Sequence, residues 1–366
     1  MRSNLALPVS VILTALLCSC QVELEAASEV TKLRILGVQA DPPEIAPGDA
    51  TAVRILTADP KGEGRRVVGG GIAVPGLFTP SSSPDTEGMP PLYYVLPFTD
   101  VNGEGVVSFP DHLSIPEYYL KPNPAYDPDD PDSAENVQVP IAPPGEPLTM
   151  TAILVVCAGD GFDEVAAYAE IAALSMSDTI ETTGPLAFEA VCTEAGADEG
   201  IAAIKTFDVA TCDPATSSLS CTDEYEQNAN PEILSVDLGG EALVPLVGGV
   251  CLECDPEDGC REPFAVRGYL KDGSFQLYER PLASNLEGTE IVYERTYISW
   301  FITGGMLDEE RSGNGSTIDA ILPDDPFEAN WVPPPEGGDF TLWAVAHDVR
   351  GGVSWKVYEV TAGTLP

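Results

Sequence analysis

Histidine and lysine are scarce here: the 366 residues include two histidines, His112 and His347, and six lysines. The first shortage removes most zinc chemistry, which draws on two or three imidazoles. It also leaves a Ser-His-Asp or Cys-His machine only two positions, and neither lies near a Gly-x-Ser-x-Gly turn. Both read as surface or turn residues, His112 in the loop-like FPDHLSIP and His347 at a hairpin end. The second shortage is one of positive charge. Lys and Arg number 17 against 59 Asp and Glu, a net charge of −42. Such a surface repels phosphate backbones, which excludes nucleic acid as a partner, and it suits salty water or divalent cations. Long apolar runs are missing too. Only Leu5–Ser19, with Pro8 inside it, approaches a membrane span, and a spanning helix needs about 20 apolar residues.

That run follows Arg2 and ends in Leu17-Cys18-Ser19-Cys20. A positive start, a short apolar stretch and a small residue before a cut site mark a secretory signal. The cut-site residues resemble the lipobox of bacterial lipoproteins, with Leu17 at −3, Ser19 at −1 and a cysteine at +1. The resemblance implies removal of residues 1–19, a diacylglycerol on the Cys20 thiol and acylation of the new amino group. Cys18 leaves with the signal. Gln21 at +2 is not the aspartate that retains lipoproteins on the inner membrane in enterobacteria. The implied location is therefore the cell envelope, at the outer membrane, on its periplasmic or surface face. Residues 20–30 form a polar tether.

Glycine and proline, 34 each, are abundant between short apolar runs. That pattern points to many turns and an all-β protein. Two stretches open alike: Ile35-Leu36-Gly37-Val38 lines up with Ile233-Leu234-Ser235-Val236. Two ends echo as well. Lys205–Val209 resembles Lys356–Val360, and upstream Val155–Asp160 resembles Ala344–Asp348. Echoes in the same order along the chain predict two copies of one β-unit, 31–210 and 229–366, with a linker at 211–228. In the second unit, YISWFI (297–302) alternates and puts Ile298, Trp300 and Ile302 on one face. FTLWAVAH (340–347), a Gly-containing turn and VSWKVYEV (353–360) form a closing hairpin. These features predict two immunoglobulin-like β-sandwich units in tandem. The first carries a long inserted loop region, 61–146, and a segment, 163–177, that reads as a helix by alanine content or as a strand pair by position, with helix favoured.

The lipobox, the ILGVQADPPEIAPGD opening and the terminal RGGVSWKVYEV hairpin together resemble the surface lipoproteins of myxobacteria and related lineages. The resemblance implies an envelope location and sandwich domains. It implies no activity.

Seven cysteines remain beyond Cys18 and Cys20, in a compartment that permits disulfides. The odd count leaves at least one thiol free or paired between chains. Cys212 and Cys221 would close a local loop in the linker, and Cys157 and Cys192 pair by elimination. CLECDPEDGC (251–260) reads as a disulfide-pinned acidic loop in which Cys260 takes either Cys254 or Cys251. A CxxC redox pair would need a βαβ setting, and a zinc ribbon a second CxxC. Asp127, Asp129, Asp130 and Asp132 offer oxygens to calcium, as do Asp255, Glu257 and Asp258. The first run lacks the glycine of an EF-hand, and a solvated acidic loop is the ordinary reading. No other cofactor is expected. Trp300, Trp331, Trp343 and Trp355 all fall in the second unit and read as core more readily than as a sugar platform. The expected function is a non-catalytic structural or binding module, membrane-held through its lipid, with a protein or glycan ligand. The alternatives are an adhesin using loops or aromatics of the second sandwich, and a calcium-dependent hydrolase.

Overall fold

Strands with period-two alternation build the protein, which is all-β apart from two helices among the described residues. A computed structural model describes residues 28–45, 50–62, 64–75, 94–114, 148–175, 185–209, 228–245, 250–254, 259–281, 289–313 and 325–363. The first unit comprises β1 (Arg34–Asp41), β2 (Glu44–Ile45), β3 (Ala50–Ala58), β4 (Val67–Pro75), β5 (Tyr94–Asp100), β6 (Val106–Ser114) and β7 (Leu148–Ala158). Helices α1 (Glu164–Ser175) and α2 (Pro185–Glu194) follow, and β8 (Glu199–Val209) closes the unit. The second unit runs β9 (Ile233–Leu238), β10 (Glu241–Ala242), β11 (Val250–Glu253), β12 (Phe264–Leu270), β13 (Leu277–Pro281) and β14 (Thr289–Tyr293). It continues with β15 (Thr296–Ile302), β16 (Met306–Leu307), β17 (Arg311–Gly313), β18 (Phe327–Val332), β19 (Gly338–Asp348) and β20 (Val353–Gly363).

The two units share one topology. In the first, β1-β3-β6 faces β2-β8-β7-β4-β5; in the second, β10-β9-β12-β18-β16 faces β11-β20-β19-β15-β17. Strand for strand, β1, β3 and β6 correspond to β9, β12 and β18, and β2, β8, β7, β4 and β5 to β11, β20, β19, β15 and β17. Even the one parallel pairing recurs, β2 with β8 and β11 with β20. Two such sheets packed face to face form the immunoglobulin-like sandwich. The three sequence echoes lie on corresponding strands: β1 and β9, β7 and β19, β8 and β20.

The units differ in what is inserted. Between β19 and β20 the chain needs only the turn at 349–352, whereas between β7 and β8 it inserts both helices. These pack on the outer face of the five-stranded sheet, so β7 is apolar on both sides. Met150, Ala152, Leu154 and Val156 face the sandwich core, while Ile153, Val155 and Cys157 face Phe188, Val191 and Cys192 beneath the helices. A strand covered on both faces reads as a continuous apolar run, as LTMTAILVVCA does. Helix α1 agrees with the helix reading of 163–177. The stretch expected as an inserted loop, 61–146, instead contributes β4, β5 and β6 to the sheets. Glycines in VVGGGIAVP suggest a turn, but two serve packing. A Cβ on Gly69 would lie 2.8 Å from Val107, and one on Gly70 2.7 Å from Phe98.

In the second unit, Ile298, Trp300 and Ile302 all enter the core, as the alternation predicts. Both indoles of the sandwich core find acceptors: Trp300 Nε1 donates to Ser312 Oγ at 2.7 Å, and Trp331 Nε1 to the Gly304 carbonyl at 3.0 Å.

The tandem units are packed together. Leu36, Leu56, Ala58 and Val106, on the outer face of β1-β3-β6, meet Trp343, Val345 and Val353 from the outer face of the β19-β20 sheet. The result is a stack of layers: helices, then four sheets. Gly37 permits a close approach there, since a Cβ on it would lie 3.2 Å from Val345 Cγ1. Residues 28–30 of the expected tether belong to this body. Val30 is fully buried and its amide donates to the Ile302 carbonyl at 2.9 Å, while the Ile302 amide donates to Ser28.

Candidate functional site

The junction between the units buries several polar side chains, among them Glu44, Asn228, Glu294 and Asp348. Glu44, on β2, accepts from Arg350 Nη2 at 2.7 Å and from the Asn228 amide at 2.7 Å. Both ion-pair side chains are nearly withdrawn from solvent, at 11% exposure for Arg350 and 7% for Glu44. Glu294 lies 3.9 Å from Arg350 Nε, and the guanidinium sits 5.4 Å from the Tyr278 ring centroid. Asp348 Oδ1 accepts from the Arg350 and Gly352 amides at 2.8 Å each, which ties the β19-β20 turn. Burial pushes this carboxyl up, against the pull of those amides, Asn228 and the Arg350 charge. Lys205 Nζ donates to the Gly351 carbonyl at 2.7 Å, and Asn230 bridges Ala40 and Val353. The turn of the second unit is thus locked onto β2 and β8 of the first.

Beside this lock lies a cleft of about 430 Å³. Its floor follows from strand register. Gln39 pairs across to Arg54 and Arg54 to Ser108, one row on the outer face of β1-β3-β6. Gly37, Leu56 and Val106 form the adjacent row, which the second unit covers. Where that cover ends, the polar row opens to the cleft. Trp355 and Ser354 of β20 form one wall, and Asn102 and Glu104 of the β5-β6 turn the other. Asn102 Oδ1 accepts from the Glu104 and Val106 amides at 2.9 Å each, leaving its amide NH2 group to donate. Position at a junction and an aromatic wall with a few placed polar groups are the ordinary attributes of a small-molecule site.

Of the cysteines, Cys157 and Cys192 form a disulfide that staples β7 to α2. Cys254 pairs with Cys260, which resolves the choice left open between Cys254 and Cys251. Cys20, Cys212, Cys221, the run Asp127, Asp129, Asp130 and Asp132, and residues 255–258 lie outside the described residues. Among the described residues no group of three or more His, Cys, Asp and Glu is arranged to hold a metal ion, and no helix is long and apolar enough to cross a membrane.

His112 lies in strand β6, not in a loop. His347 closes β19 and stacks on Tyr297, with ring centroids 4.7 Å apart. Burial, together with the charges of Lys205 and Arg311, pushes it down to about 4, so it is neutral at pH 7. Trp300 and Trp331 are core, Trp343 is buried at the junction, and Trp355 is half-buried beside the cleft. Sequence reading passed over Gln39, Arg54 and Ser108. Each is an unremarkable polar residue on its own strand, and only the cross-strand register gathers them.

No family model matches the chain, and no curated protein matches it. Similar solved structures include Escherichia coli alpha-2-macroglobulin activated by porcine elastase, at 8% identity and a TM-score of 0.23, covering 92% of this chain and 22% of that one. Red sea bream transglutaminase shows 10% identity and a TM-score of 0.20, covering 91% and 32%. Dimeric latent PorU from Porphyromonas gingivalis shows 11% identity and a TM-score of 0.20, covering 91% and 24%. This chain spans less than a third of the length of each. Likeness at this level assigns no function.

Proposed function

We propose that the protein is an exported lipoprotein, held at the outer membrane by lipid on Cys20, and that it acts as a non-catalytic binding module of the cell envelope. The observation that carries the reading is the pairing of a lipobox-like leader with disulfides in the folded body. Cys157–Cys192 and Cys254–Cys260 are of the kind that persists in oxidising, exported compartments and is rare in a reducing cytosol. The site chemistry supports binding: the junction cleft presents amides, a hydroxyl, a guanidinium and an indole, which are recognition groups. With Ser28–Val30 fastened to β15, residues 21–27 give a spacer of at most roughly 25 Å, so the body stays near the bilayer. Two or more acyl chains suffice for stable anchoring.

Cells fed an alkyne-tagged palmitate test this directly. Wild-type protein should take up the label and partition with outer membranes, and Cys20→Ser protein should do neither. Mature protein that retains Met1, or that labels equally well without Cys20, would overturn the reading.

A further inference from the structure

We propose that the junction cleft binds a carboxylated sugar of the uronic-acid class. The inference rests on reading the cleft as a recognition site and not on the anchor, so failure of lipidation leaves it standing.

Charge sets the first constraint. In a chain of net charge −42, several cations are taken by carboxylates, as Arg65 is by Asp59 and Glu199 and Arg66 by Asp100 and Glu164. Arg54 has no ion pair among the described residues, and it is the one cation that lines the cleft. A planar guanidinium is built for bidentate capture of a carboxylate. The cleft also holds Glu104, so Arg54 is its single positive group beside one carboxylate, and the protein's field repels polyanions. One guanidinium can pair with one ligand carboxylate, whereas a phosphate dianion would bring a second charge that the field opposes.

Geometry sets the second. Gln39 and Ser108 flank Arg54 in the same cross-strand row, and neither side chain has a hydrogen bond among the described residues. With the Asn102 NH2 group and the Glu104 carboxylate opposite, donors and acceptors are spread around one small volume. That suits neighbouring hydroxyls, each of which both donates and accepts. Trp355 completes the site. Part of its ring lies over Gly37, and the rest lines the cleft as an apolar wall for the C–H face of a pyranose. The volume of about 430 Å³ falls within the usual range for small ligands, about 300–1,000 Å³.

The full chain in detergent, labelled with 15N at its four tryptophans, gives a direct readout, with buried Trp300 and Trp331 as internal references. Titration with D-glucuronate should shift the Trp355 indole signal saturably, with D-glucose and acetate each at least about tenfold weaker (~1.4 kcal/mol). Arg54→Ala should weaken glucuronate by about the same factor while the Trp300 and Trp331 signals stay in place. A Gln39→Ala variant gives a second reading and should weaken glucose and glucuronate alike. The proposal is overturned by no Trp355 shift with glucuronate, by equal affinity for glucose or acetate, or by undiminished affinity in the Arg54→Ala protein.

Discussion

Glu44 and Arg350 are 306 positions apart in sequence and 2.7 Å apart in space, joining the first unit to the last turn of the second. A buried pair of this kind costs desolvation to form, and removing one partner strands the other charge away from water. Arg350→Ala should therefore destabilise the protein by about 3–5 kcal/mol. It should also split unfolding into two steps, because the units lose their lock. Urea melts followed separately by tryptophan fluorescence and far-UV dichroism would reveal this. All four tryptophans are in the second unit, and both helices are in the first. Coincident, unshifted curves would refute it.

Acid should weaken the fold through His347. Its folded value, about 4, lies below the ordinary 6.5, because burial and the charges of Lys205 and Arg311 oppose protonation. The folded state therefore binds the proton less readily than the unfolded chain. The stabilisation is fully present above pH 6.5 and is lost as pH falls towards 4, by roughly 3 kcal/mol. Asp348 runs the other way: its raised pKa makes the folded carboxyl hold its proton longer as pH rises from the ordinary carboxylate value. His347→Phe should flatten the stability loss between pH 6.5 and 4. Denaturation midpoints across that range decide the matter, and an unchanged slope in the variant would exclude His347 as its source.

The two disulfides should differ in worth. Cys157–Cys192 closes a separation of 35 residues and Cys254–Cys260 one of 6. By loop entropy the first contributes ~4 kcal/mol and the second ~2 kcal/mol. Paired Cys→Ala variants at each bridge, melted side by side, should rank in that order; the reverse ranking would argue that strain or packing dominates.

Gly37 sets how closely the units approach. Gly37→Leu forces a side chain towards Val345 Cγ1 and Trp355, and overpacking of this kind costs about 1–3 kcal/mol. The indole signals of Trp343 and Trp355 should move while those of Trp300 and Trp331 stay. Movement of all four would mean that the core, not the junction, had yielded.

Much of this architecture is legible in the sequence where one strand carries its own pattern. YISWFI announces its buried face because Ile298, Trp300 and Ile302 alternate with no glycine between them, and three short echoes are enough to reveal a repeated topology. Strand β4 was hidden because VVGGGIAVP spends its glycines on neighbours' side chains rather than on a turn. Helix α2 did carry a signal, with Pro185 at its first position, where a missing N–H costs nothing. The cleft was illegible for another reason. Gln39, Arg54 and Ser108 meet only through the pairing of three strands, and Glu44 and Arg350 look like surface charges until the two units meet.

The strapping of Ser28–Val30 to Ile302 gives the molecule an unusual load path. A pull on the N-terminus first meets hydrogen bonds to β15, more than 270 residues further along the chain, before it reaches β1. Tension is thus delivered to the second sandwich as well as the first. Drag on the body would press the units' shared seam into service as a mechanical joint instead of unravelling the protein from its first strand.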